Sequence, residues 1–421
     1  MAHILLLTPQ VPYPPRQGTA LRNWGILRGL AAHHRVSLLT FAAPDQPTEA
    51  PPPLADIVER VAIVQQPTRT TRDRLRDLLT TSRPDLTLRL ESAVFRQQLQ
   101  TWLDTYPFDW LQIEGLEMAP YLSPLPPSTV YRLPSTIFDA HNCEYLLQKR
   151  AGSADLRHPR RWLAALYSAI QWRRLRRYEA AVCRRADLVI AVSEADAQAL
   201  QRIVPLVDPL VIPNGITVAE YAAFTDKAAL HQPAFVFTGT MDFRPNVDGA
   251  LWFAAEVWPR IRAALPDAHC YLVGRHPHRR LNALREMPGL IITGSVPDTR
   301  PYINAATVYV VPLLVGGGTR LKLLEATSMG KAIVSTTLGA EGFTRPEEAM
   351  QLADDPAAFA EMCIRLAGDA VERAQWEARA RAYAHAYDWD VLLPPLLARL
   401  EGNSLAKVPT GFGMESLAGS Q

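Results

Sequence analysis

Between Val308 and Phe343 the chain reads VYVVPLLVGGGTRLKLLEATSMGKAIVSTTLGAEGF, and three charged side chains, Arg320, Lys322 and Glu325, stand where an anionic ligand could be handled. They follow Gly316, Gly317, Gly318 and Thr319, a loop in which three positions lack Cβ atoms, so backbone N–H groups can approach a ligand closely. Thr319 offers an N-cap to the helical pattern that follows, whose unpaired N–H groups and positive dipole end favour phosphate. Cations in a first helical turn oppose that dipole, so Arg320 and Lys322 sit there at a local cost. Lysine is rare in this chain (Lys149, Lys227, Lys322, Lys331 and Lys407), and one at the loop mouth supplies a compact, flexible ammonium. Glu325, three residues after Lys322, lies on a neighbouring helical face, where its carboxylate can accept from the hydroxyls of a ribose. The alternative is a glycine turn into a surface helix, with the three charges in solvated ion pairs.

The elements that must position these groups are legible in the same stretch. Val308–Leu313 is an aliphatic run of strand length, suited to a parallel strand buried on both faces, and parallel sheets bind ligands at their carboxyl ends. Strand, glycine loop, helix and strand form a βαβ unit. The pattern recurs at the start of the chain, where the strand Ile4–Leu7 and the proline-rich loop TPQVPYPPRQG lead through Gly18 into a helical pattern. Further strand runs are Val36–Phe41, Val61–Val64, Trp110–Glu114, Thr136–Asn142, Leu188–Ser193 and Leu210–Pro213. A second series follows at Phe235–Thr240, Cys270–Val273, Leu290–Val296, Val308–Leu313, Ala332–Thr336 and Met350–Ala353. Helical patterns alternate with them, which argues two doubly wound α/β domains.

A chain of 421 residues exceeds what one core organises, in keeping with two domains. A net charge of +2 gives no global preference for nucleic acid, and none is expected as a partner. The cysteines, Cys143, Cys183, Cys270 and Cys363, lie far apart without a C-x-x-C pair, which fits free thiols and a cytoplasmic location. The opening MAHILLLTPQVPYPP is expected to be neither signal peptide nor membrane span, since nothing in the chain approaches ~18 consecutive apolar residues. His276-Pro-His278 and Asp388-Trp-Asp390 lack further ligands nearby, and no metal site is expected at either.

His141, in the strand-end sequence IFDAHNCE, is the other candidate, because strand ends display functional groups in α/β domains. A lone histidine there is also commonly a structural hydrogen-bonder. The arginine-rich stretch 157–185 reads as a helix whose Leu163, Leu166, Tyr167 and Ile170 pack on the domain, with docking on a membrane surface as the alternative.

The segment GGGTRLKLLEATSMGKAIVSTTLGAEG resembles the donor-nucleotide motif of retaining GT-B glycosyltransferases of family four (glycosyl transferases group 1). The likeness extends to DAHNCE at 139–144, LVIAVSE at 188–194, PNG at 213–215 and FTGTMDFRPN at 237–246. It implies a GT-B architecture, two Rossmann-like domains facing each other across a cleft: an acceptor-binding domain over 1–212, a nucleotide-sugar-binding domain over 213–387, a helix over 388–403 crossing back, and a flexible tail over 404–421. It implies retaining, metal-independent transfer from a nucleoside-diphosphate sugar, with no cofactor, to a glycan, lipid-linked or small-molecule acceptor. His141 would contact the donor sugar, oriented by Asp139, and act with Arg320 and Lys322 as the catalytic set. Gly18, Arg244, Gly316, Gly317, Gly318, Thr319 and Glu325 would bind the donor. A lipid-linked acceptor would bring helix 157–185 to the inner face of a membrane. Two departures stand out: Thr240 and Pro245 replace an arginine and a lysine of the commonest form, and Gly317 stands where the family has the first of two glutamates. A sugar-nucleotide epimerase and a non-catalytic sugar-nucleotide-binding protein are the other classes to separate.

Overall fold

The computed structural model describes residues 1–15, 18–122, 131–156, 162–315 and 320–405. Seven strands, β1 (His3–Thr8), β2 (Arg35–Ala42), β3 (Arg60–Gln65), β4 (Trp110–Glu114), β5 (Ser135–Ala140), β6 (Leu188–Ala191) and β7 (Leu210–Val211), form a sheet in the order β3-β2-β1-β4-β5-β6-β7. Six more, β8 (Ala234–Thr238), β9 (His269–Val273), β10 (Leu290–Gly294), β11 (Val308–Val311), β12 (Ile333–Ser335) and β13 (Gln351–Leu352), form a second sheet in the order β10-β9-β8-β11-β12-β13. Every pairing in both is parallel. These are two Rossmann-like domains, and every strand run read from the sequence is a strand.

Parallel neighbours need crossover connections, which put helices on both sheet faces and make the strands apolar throughout. In β1, Ile4 and Leu6 enter one core with Ile26, Leu27 and Leu30, while Leu5 and Leu7 enter another with Phe95, Leu111 and Phe138. In each sheet the strand order reverses once, between β1 and β4 and between β8 and β11. At such a switch point the flanking connections leave on opposite faces and open a crevice at the carboxyl ends of the strands.

The chain crosses between the sheets twice, and the crossings lie side by side. Ile216 N donates to Tyr387 O at 2.9 Å, Trp389 N donates to Ile216 O at 3.3 Å, and Val218 N donates to Asp388 Oδ2 at 3.0 Å. After the second crossing, Trp389, Leu393, Leu396 and Leu400 bury against Ile4, Leu6, Ile26 and Leu27 of the first sheet's core. The single helix expected over 388–403 is two, Trp389–Leu392 and Pro394–Leu405, because Pro394 and Pro395 lack the N–H groups that would continue the ladder. Residues 406–421, most of the expected tail, lie outside the described residues.

The arginine-rich helix is described from Trp162 to Arg185, and 157–161 lie outside the described residues. Its packing differs from expectation: Trp162 and Leu166 are 62% and 60% exposed, and Tyr167 is exposed too. Ser168 and Gln171 take the inner side instead, where Gln171 Oε1 accepts from Asp85 N at 2.9 Å.

Trp389 is wedged between two glycines. A Cβ on Gly25, in the helix Gly18–His33, would stand 2.0 Å from the Trp389 indole, and one on Gly215 would stand 2.8 Å from it. Gly25→Ala is expected to cost about 1–3 kcal/mol, as overpacking does. Gly368→Ala, where an added Cβ meets nothing within 4 Å, should leave the thermal midpoint near wild type. Equal midpoints in the two variants would show that the indole is not held there.

Candidate functional site

At the switch point of the first sheet, β4 ends in Glu114, which is in register with Asp139 of β5, so two carboxylates are carried side by side out of water. Each has its own counter-group. Asp139 is held by Arg22, whose Nη2 donates to Oδ1 at 2.8 Å and to Oδ2 at 2.9 Å, with Nε adding a bond to Oδ2 at 3.1 Å. Glu114 Oε2 lies 2.8 Å from His141 Nε2, and Gln112 Nε2 donates to Oε1 at 2.6 Å. Oriented to suit its surroundings, the Asn23 amide donates to Glu114 Oε2 at 3.0 Å. Asp139 therefore does not orient His141, as the sequence reading had it. Glu114 does, because Arg22 occupies both oxygens of Asp139.

Burial pushes the Glu114 pKa up, and the Asp139 charge adds to that, opposed by His141 and Arg22. For His141, burial alone lowers the pKa, but the hydrogen bond and charge of Glu114 together with Asp139 outweigh it, and the net shift is upward. The pair thus holds one proton between an acid that resists losing it and an imidazole that welcomes it. The turn after His141 is pinned from other elements. Glu179 Oε1 and Oε2 accept from Glu144 N and Tyr145 N at 3.0 Å each, and Asp196 Oδ1 accepts from Cys143 N at 3.2 Å. Glu114, Asp139 and His141 bring ligand-type atoms within 4.8 Å of one another, the one such group among the described residues. Arg22 and Gln112 already occupy three of its four carboxylate oxygens, which leaves a poor metal donor set.

The second half of the site forms at the β8/β11 switch point. The helix there is Leu321–Ser328, with Arg320 at its N-cap position. Gly316, Gly317, Gly318 and Thr319 lie outside the described residues. Lys322 Nζ donates to Thr238 O at 2.7 Å and to Asn246 Oδ1 at 2.8 Å, and stands 4.3 Å from the Phe237 ring centroid. Withdrawal from water lowers its pKa to about 7, with Arg320 adding to the shift and Glu325 opposing it. Burial likewise raises Glu325 to about 7, though the Tyr221 hydroxyl donates to its Oε1 at 3.4 Å. Burial lowers the Arg320 pKa too, against the Glu341 charge.

The two halves touch. A Cβ on Gly18 would lie 3.1 Å from Leu321 Cδ1, so the start of the first helix faces the start of the Leu321–Ser328 helix. Tyr221 comes from the helix Val218–Ala222 that follows the first crossing, and it ties that segment to Glu325. Arg320, Lys322 and Glu325 are brought together. Arg244 Nε donates to Asp248 Oδ2 at 3.3 Å, and Asn246 occupies the position beside Lys322. The sequence reading missed Glu114, Arg22, Asn246 and Tyr221. Two of them carry a signal: Glu114 is an acidic end to an apolar strand, and Arg22 is a charge on the buried side of an apolar helix.

Two family models match the chain: Glycosyltransferase Family 4 over residues 17–220 and Glycosyl transferases group 1 over residues 232–369. A phosphatidyl-myo-inositol mannosyltransferase of Mycolicibacterium smegmatis is 32% identical over 199 residues, 44% of this chain and 50% of that protein. A protein of the same description from Propionibacterium freudenreichii is 27% identical over 223 residues, 51% of this chain and 56% of that one. The chain thus spans about half the length of these curated relatives. Among solved structures, Anabaena HepE in complex with UDP and glucose superposes with a TM-score of 0.60 at 14% identity, over 96% of this chain and 100% of that one. At that identity the likeness concerns the fold.

Arg22→Met leaves Asp139 buried without its counter-charge and is expected to cost about 3–5 kcal/mol in urea unfolding. Arg22→Met with Asp139→Asn should recover most of the loss. An equal loss in the single and double variants would mean that the charge pairing is not what holds the two segments.

Proposed function

Because the chain joins a glycosyltransferase family 4 domain to a group 1 domain, we propose that it transfers a sugar from a nucleoside diphosphate to an acceptor hydroxyl, with retention of configuration and without a metal. The observation that carries this reading is the meeting of the two switch points across Gly18 and Leu321, with His141 on one side and Arg320, Lys322 and Glu325 on the other. Neither domain presents both groups. Mannose is the sugar that the curated relatives' names point to, and glycan or glycolipid synthesis is the setting we assign.

In this mechanism the diphosphate lies at the N-terminus of the Leu321–Ser328 helix. Arg320, Lys322 and the helix N–H groups meet the charge that grows on it as the bond to the anomeric carbon breaks. Glu325 accepts from the ribose hydroxyls. The acceptor oxygen bonds to the anomeric carbon on the face the diphosphate leaves, and its proton passes to the departing diphosphate oxygen. His141, protonated or neutral as Glu114 dictates, orients the transferred sugar. Gly18, Gly316, Gly317, Gly318 and Thr319 line the donor, and Arg320, Lys322 and the helix supply the positive charge for which other transferases use a metal. Exposed Trp162 and Leu166 at the start of the arginine-rich helix support peripheral contact with the inner face of a membrane for a lipid-linked acceptor. No helix among the described residues is long and apolar enough to cross a membrane.

A donor panel tests the reading directly: free nucleoside diphosphate should appear only when acceptor and the correct donor are both present. Lys322→Ala and Arg320→Ala should each lower turnover by roughly 10²–10³-fold, the scale of losing one preorganised charge donor. Glu325→Ala should act on nucleoside diphosphate affinity. Wild-type turnover in both cation variants would remove the diphosphate assignment.

The pH dependence has a definite sign. Lys322 without ligand titrates at about 7, and a bound diphosphate favours its charged form, so binding above that pH must take up a proton. Diphosphate affinity is therefore expected to be level below pH 7 and to fall as the pH rises past it. Calorimetry in buffers of differing ionisation enthalpy measures the uptake, and a zero proton count at pH 8 would contradict it.

A further inference from the structure

Behind Gly18 the first domain contains a second feature, a polar pocket of about 380 Å³. Its lining includes Gln10 after β1, Gln66 after β3 and Glu117 after β4, so it opens at the carboxyl ends of strands on one side of the switch point and of β4 across it. Thr19 also lines it, next to the glycine that faces Leu321. Arg89 and Glu117 lie close enough to Glu144, three residues past His141, for their charges to act on it. The pocket thus lies on the Glu144 side of the turn that follows His141.

Three guanidinium groups from three segments converge here: Arg69 from the connection after β3, Arg74 from the helix Thr71–Thr80, and Arg89 at the end of the short helix Asp85–Leu88. They are not equally committed. Arg69 donates to Asp77 Oδ2 at 2.8 Å and to Asp85 Oδ1 at 3.1 Å, and so is a neutralised part of the wall. Among the described residues Arg89 pairs only with Asp85 Oδ2 at 3.7 Å, on a carboxylate that already serves Arg69, and its side chain is 54% exposed. Arg74 is exposed and makes no ion pair among the described residues. Two guanidinium groups with uncommitted donors thus face one pocket whose lining holds a single carboxylate, Glu117.

Resting on the reading that this domain holds the acceptor, we propose that the acceptor carries a phosphate or phosphodiester group, seated on Arg74 and Arg89. Guanidinium forks match the oxygens of such a group and bind it bidentately. Its hydroxyl-bearing part would extend past Thr19 toward His141, with Glu117 and Gln10 as partners for further hydroxyls.

The test uses the full chain saturated with uridine or guanosine diphosphate, whichever the donor panel selects, so that the donor's diphosphate site is filled. Glycerol phosphate is then titrated, and vesicles of phosphatidylglycerol are compared with vesicles of phosphatidylcholine. Arg74→Gln with Arg89→Gln should weaken anion binding by roughly tenfold or more, the scale of losing a charge-assisted hydrogen bond, while Arg72→Gln on the same helix leaves it unchanged. Loss confined to glycerol phosphate assigns a soluble phosphorylated acceptor, and loss of phosphatidylglycerol binding assigns a lipid headgroup. No anion binding in the nucleotide-saturated wild type, or binding that survives the double substitution, overturns the inference. Failure of any nucleoside diphosphate to bind would instead remove the proposed transfer reaction itself.

Discussion

The buried pair of Arg22 and Asp139 is the interaction on which the rest of the molecule turns. The two side chains are 2% and 0% exposed, and the guanidinium reaches beyond the carboxylate to Ile212 O at 3.0 Å and to Pro213 O and Asn214 Oδ1 at 3.3 Å each. One side chain therefore joins the first helix, the end of β5 and the first crossing between domains. A buried ion pair need not add stability over an apolar replacement, since desolvation consumes most of its attraction. What this one secures is placement: His141 stands two residues beyond Asp139, and the crossing that carries Tyr221 toward Glu325 starts at Arg22's other contacts. Trp389 completes the joint from the opposite side by filling the space left by Gly25 and Gly215.

Each half of the cleft keeps its ionisable groups close to a change of charge. Lys322 and Glu325 are both displaced toward neutrality by withdrawal from water, and Glu114 and His141 share a proton. In such surroundings a diphosphate supplies the counter-charge that Lys322 lacks, so ligand binding and protonation become one event. The proposed absence of a metal follows the same logic, since the positive charge is built into the protein and strengthens when the anion arrives.

Much of this was legible in the sequence because parallel sheets write themselves as continuous apolar runs. Val308–Val311 is fully buried, and the strand and the following helix Leu321–Ser328 stand where the aliphatic run and the helical pattern put them. Lys322 and Glu325 could be named because they follow that loop directly. Glu114 could not, since its partner His141 is 27 residues away and the two meet only through strand pairing. Arg22 lies 117 residues from Asp139, and no local pattern links them. Asp139 is near His141 in sequence, but Arg22 from the first helix takes both of its oxygens, and the imidazole finds its partner on β4 instead.

The central claim is that His141 and Lys322, from different domains, act on one bound sugar nucleotide. A double-mutant cycle on glycosyl transfer, with His141→Ala, Lys322→Ala and the two combined, tests it most directly. Groups that share one transition state lose activity non-additively, and a coupling of about 1 kcal/mol or more is the expected result. Losses that add to within roughly 0.5 kcal/mol would mean that the two residues serve separate sites and that the cleft is not a single reaction centre.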